Sequence, residues 1–211
     1  MSNDEQRLSD DVAFLRALAA GDSTGGAREG AILIAVGLIF SLVAAQYWAI
    51  ESGVFVVPPA VHTWLWLDGL IPFLICTAVI SAKYRAHPSG VASRALGASW
   101  GAGVGTAFIV ADIALYAASR ELGIPLLIKW LFPVVLFCLI GGAWGVAFAV
   151  RRRKSLGLLA GGNFAAAILS GVVIGRPQEW LVLAGGLILL VAVPGGTMLA
   201  DRPRRFGHEP D

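Results

Sequence analysis

The sequence predicts an all-α fold: a polytopic integral membrane protein whose six transmembrane helices form one bundle, with both termini in the cytoplasm. Three observations predict it. The chain is 57% hydrophobic and 14% charged over 211 residues, where a soluble domain carries about 25% charged residues. Its apolar residues fall in runs of about twenty, the length an α-helix needs to cross a bilayer. The basic residues alternate between loops. The two tails and the even-numbered loops hold thirteen of the sixteen Lys and Arg, and the odd-numbered loops hold three. Cytoplasmic segments carry the excess of Lys and Arg, so both ends are expected inside.

Residues 1–30 read as a cytoplasmic amphipathic segment. Leu8, Val12, Leu15 and Leu18 recur at helical spacing, and residues 8–20 could lie on the bundle or dock a protein partner. Three arginines against six acids leave no basic face for anionic lipid. Asp22-Ser-Thr-Gly-Gly reads as a loop. The first span, about 31–50, ends at Tyr47 and Trp48. The following loop lacks Lys and Arg and contains Pro58-Pro59. The second, about 64–82, opens with Trp64 and Trp66 and contains Pro72, an expected kink. Lys83, Arg85 and Arg94 precede the third, about 96–118. The fourth, about 124–150, contains Lys129 and Pro133 and is followed by Arg151 to Lys154. The fifth is about 156–174. A tight turn, Gly175-Arg-Pro-Gln-Glu, leads to the sixth, about 180–199, and residues 201–211 form a basic cytoplasmic tail.

The third span is expected at the centre of the bundle. Gly97, Gly101 and Gly105 are four apart and share a side with Asp112 and Tyr116, all within roughly 100° of arc. Small residues so spaced let a neighbouring backbone approach. Asp112 lies sixteen residues into its helix, or roughly 24 Å at 1.5 Å per residue, in the outer third of the bilayer. Gln46 and Ser170 lie at similar depth, and Asp68 and Lys129 one turn in from the outside. With Tyr116 these residues form an expected outer polar layer, an outward-facing pocket suited to a cation, a proton or a small polar ligand. In the plainer alternative, Asp68 and Lys129 snorkel to the headgroups while Asp112 is a hydrogen-bonded structural residue. Asp112 is the position expected to be most sensitive to substitution. Asn163 is expected to bond between helices. The pairs Gly141/Gly145, Gly157/Gly161 and Gly171/Gly175 read as close-packing faces, one of which could seat a second copy of the chain.

Several classes are set aside. Cys76 and Cys138 lack CxxC spacing and sit in apolar runs, as small buried hydrophobes do. The three histidines fall in loops or the tail, and no HExxH or Cys/His metal spacing occurs. Ile168 breaks the GxSG pattern of rhomboid-type proteases before Ser170, and the GxGD pattern of intramembrane aspartyl proteases is absent. No cofactor is implied, and a net charge of +2 gives no reason to expect nucleic acid. With short loops, an Arg-Ala-Gly bias and no cleavable signal peptide, the expected setting is a bacterial inner membrane. The expected role is non-enzymatic: structural, assembly or regulatory. The alternative is a small transporter or channel using the pocket around Asp112.

Overall fold

The structure, a computed structural model, describes residues 22–58, 61, 64–65, 67–84, 100, 104–123 and 127–200. Its regular elements are helices: α1 (Asp22–Glu51), α2 (Leu67–Lys83), α3 (Thr106–Glu121), α4 (Leu127–Arg151), α5 (Lys154–Val172), α6 (Gln178–Leu187), a π-helical turn (Ile188–Ala192) and α7 (Val193–Ala200). No strand occurs among the described residues. The segment expected at residues 8–20 lies outside them. Four stretches are long and apolar enough to cross a bilayer: Ala27–Glu51, Lys129–Arg151, Lys154–Val172 and Gln178–Ala200. Within the described residues α2 is 17 residues long and α3 is 16.

α1 is longer than expected. The loop read over Asp22–Gly26 is helical, because an established helix adds one hydrogen bond per further residue, and two glycines cost it only about 1 kcal/mol each. The centre also differs from expectation. α1 is the hub, packing against α2, α6, the π-helical turn and α7. α4 and α5 form a closely packed antiparallel hairpin, and α3 packs chiefly on α4. The core is drawn from Leu33 and Ala44 of α1, Phe137, Ile140, Trp144 and Ala147 of α4, Leu156, Ala160 and Ala167 of α5, and Trp180 to Val191 of the last span. α3, the described helix of the third span, lies on the side of α4 with Ile109, Val110, Ile113 and Tyr116 exposed, while Trp100 before it meets Trp144 edge-on.

Backbones approach most closely between α1 and the last span. A Cβ on Gly30 would stand 2.6 Å from the Gly195 carbonyl oxygen. One on Gly37 would stand 2.6 Å from Ala192 Cβ. Ser41, one turn on, shares its hydroxyl between the Gly37 carbonyl and the Ala184 carbonyl across the interface (2.9 Å to the latter). The last span yields locally to make this fit. Pro194 has no N–H for the Leu190 carbonyl, and the π-helical turn ends two residues before it.

Candidate functional site

A polar cluster forms at one end of the bundle, where α1, α4 and the start of α6 converge. Glu51, the last residue of α1, is ion-paired with Lys129 in the first turn of α4. Both side chains are partly exposed, so the pair reaches the surface. The turn between α5 and α6 brings in a second carboxylate. Gly175 adopts φ +73°, which admits glycine at little cost. Its N–H then points back to donate to Glu179 Oε2 at 2.9 Å. Glu179 is 3% exposed, its Oε1 has no hydrogen-bond partner, and it lies within electrostatic reach of both Glu51 and Lys129. Tyr47, one turn before Glu51, stacks on Trp180 with centroids 4.6 Å apart. Trp130 lies against Gly175. With both carboxylates ionised, the three groups sum to −1.

Of the predicted outer layer, one residue, Lys129, stands in this cluster. Gln46, in the turn before Glu51, has a buried Oε1 without a partner. Ser170, near the C-terminal end of α5, is fully buried and its Oγ is likewise unpartnered. The other three are on α2 and α3. Asp68 is exposed in the first turn of α2, where an acid suits the helix dipole. Tyr116 is exposed, and its carbonyl accepts the Ser119 hydroxyl at 2.8 Å. Asp112 is half-buried on the side of α3 that carries Phe108 and Ser119, and Phe108 meets Phe132 of α4 edge-on. No hydrogen bond or ion pair reaches Asp112 among the described residues.

The glycines divide in the same way. Gly97 and Gly101 lie outside the described residues. A Cβ on Gly141 would press on Phe164, and one on Gly157 would meet Phe148 at ordinary contact distance. Among the described residues nothing stands within 4 Å of a Cβ on Gly105, Gly145, Gly161 or Gly171. Asn163 is fully buried, but its Nδ2 donates to Leu159 O within its own helix (2.8 Å) instead of to a neighbour. Cys138 is exposed and Cys76 half-buried, both as free thiols. Apolar helix faces can meet lipid, so burial does not follow from an apolar run.

The sequence does not single out two central residues, Glu51 and Glu179, because both fall in expected loops at span ends. A signal existed for Glu51. Gly30, Gly37, Ala44 and Glu51 recur every seven residues, one helix face, three of them small. That face is the one that meets the last span. Glu179 had no comparable signal, since its burial depends on how the turn at Gly175 closes.

The arrangement offers two carboxylates and one amine, able to exchange protons or hold a cationic group. Among the described residues, no three His, Cys, Asp or Glu side chains converge as metal ligands would. These helices belong to an α-helical integral membrane protein. No family model, curated protein or solved structure matches the chain.

Proposed function

We propose that the chain is a six-span protein of a bacterial inner membrane, with both termini cytoplasmic, serving a non-enzymatic structural, assembly or regulatory role. The observation that carries this reading is the closed interior. Phe137 and Trp144 are 0% exposed, Leu187 and Val191 1%. Together they fill the space between α1, α4, α5 and the last span with packed side chains. A water-filled path would need polar walls there. On this reading residues 8–20 supply the contact to a protein partner. α2 and α3, with exposed Ile71, Leu74, Ile75, Ile109 and Ile113, complete the six spans as lipid-facing helices. The direct test is reconstitution of the full chain in liposomes loaded with a pH-sensitive dye. Proton and potassium leak should equal that of protein-free vesicles; a protein-dependent flux would refute the reading. Reporter fusions at the two termini test the orientation, and an external reporter signal from either would overturn it.

The small transporter remains as a second reading. What favours it is the charged cluster of Glu51, Lys129 and Glu179, with the buried Glu179 Oε1 left unpartnered. This shifts the centre of such a pocket from Asp112 to Lys129.

A further inference from the structure

We propose that Glu179 is a proton-binding site on the face of the bundle assigned to the outside, coupled through Lys129 to Glu51. The proposal is independent of the non-conducting role, since a site that takes up and releases a proton on one face carries nothing across.

The argument is geometric. Glu179 is almost completely buried, with Oε2 satisfied by the Gly175 N–H and Oε1 unpartnered. Lys129, the amine within reach, is ion-paired with Glu51. One positive charge therefore serves two carboxylates, and the more deeply buried of the two is the one without the partner. A buried carboxylate oxygen with neither countercharge nor hydrogen bond is costly. A proton on Oε1 removes the charge and converts the orphaned acceptor into a donor. A metal ion fits less well. The Lys129 ammonium stands in the same cluster, and no third ligating acid, histidine or cysteine converges there among the described residues.

The groups facing Glu179 can be named element by element. α1 supplies Glu51, and Tyr47 stacked on the neighbouring Trp180. α4 supplies Lys129. α5 carries no ionisable residue except Lys154, at its far end. The connecting turn carries Arg176, which is exposed. The exposed parts of Glu51 and Lys129 connect the cluster to water. On deprotonation the Oε1 proton passes to water, Glu179 becomes a carboxylate, and Lys129 is drawn between two carboxylates. Because these partners belong to α1 and α6, the exchange alters the contact between the two helices that the Tyr47–Trp180 stack holds together.

The test is pH-difference infrared spectroscopy on the purified full chain in lipid nanodiscs, over the pH range in which it stays folded. The wild type should show a titrating carboxylic-acid C=O band. That band should disappear in Glu179→Gln and persist in Asp112→Asn. In Glu51→Gln a negative neighbour is lost and Lys129 is freed to pair with Glu179. Both changes favour the carboxylate, so the midpoint should move to lower pH by about one unit or more. A band that survives in Glu179→Gln, or a midpoint unmoved in Glu51→Gln, overturns the proposal. If Glu179→Gln does not fold, the Glu51→Gln shift decides alone. A proton leak in the liposome assay would count against the non-conducting role and leave this site standing.

Discussion

Replacing Gly37 by alanine tests the close contact between α1 and the last span. The added Cβ would stand 2.6 Å from Ala192 Cβ, 2.7 Å from its backbone N and 2.9 Å from its Cα. Carbon atoms in favourable contact sit about 3.5–4.0 Å apart, so the helices must separate by about 1 Å at this point. The obstacle is backbone and a methyl group, neither of which can swing away. Overpacking of this kind costs about 1–3 kcal/mol, partly offset by the higher helix propensity of alanine, worth up to about 1 kcal/mol. A net loss of about 1–2 kcal/mol is expected, roughly a five- to thirty-fold fall in the folded-to-unfolded ratio. Separation here also weakens the Ser41 hydroxyl's bond to the Ala184 carbonyl. The assay is reversible unfolding in mixed detergent micelles, read by far-UV circular dichroism, with Gly145→Ala and Gly161→Ala as controls. Both control sites have nothing within 4 Å of the added carbon, so they should be neutral or slightly stabilising. If Gly37→Ala proved as stable as Gly145→Ala, α1 and the last span would not meet as described, and the position of α1 as the hub would fall.

Lys129→Met leaves Glu51 and Glu179 facing each other without a countercharge. It should cost about 1–3 kcal/mol, between the values for exposed and buried pairs. Adding Glu51→Gln should recover much of that loss, and strict additivity in the same unfolding assay would show that the pair is not coupled. A double-mutant cycle on Tyr47→Leu and Trp180→Leu should give a coupling of about 0.5–1.5 kcal/mol for the stacked rings; zero coupling would remove the stack as a link between α1 and α6. In a Cys76→Ala/Cys138→Ala background, Asp68→Cys should react quickly with an impermeant thiol reagent added outside. Asp112→Cys, half-buried on α3, should react slowly. Fast labelling at 112 would reveal a water-lined pocket and revive the transporter centred there. Asp112→Asn should leave folded yield closer to wild type than Glu179→Ala, measured by fluorescence-detected size exclusion, and the reverse order would restore Asp112 as the most sensitive position.

That the chain is α-helical and apolar enough for a bilayer was legible in the sequence. Transfer of a side chain from water to hydrocarbon is a local property, and a run such as Leu181 to Val193 declares it residue by residue. The turn at Gly175 was legible for the same reason, because its conformation is set by residues a few positions apart. Which faces meet was not legible. Lipid is as apolar as leucine, so the pattern that marks a core face in a soluble helix is erased in a membrane helix. Gly105 and Gly37 are equivalent as letters in apolar runs, yet among the described residues nothing stands within 4 Å of a Cβ on Gly105, while Gly37 holds α1 against Ala192. Tertiary structure alone also decided which charges assemble. Asp112 sits inside a span and draws attention, whereas Glu51 and Glu179 sit at span ends and read as loop. Folding α1 through to Glu51, closing the turn at Gly175 and bringing the first turn of α4 alongside set those two acids near one lysine, a meeting between residues 51, 129 and 179 that no local pattern encodes.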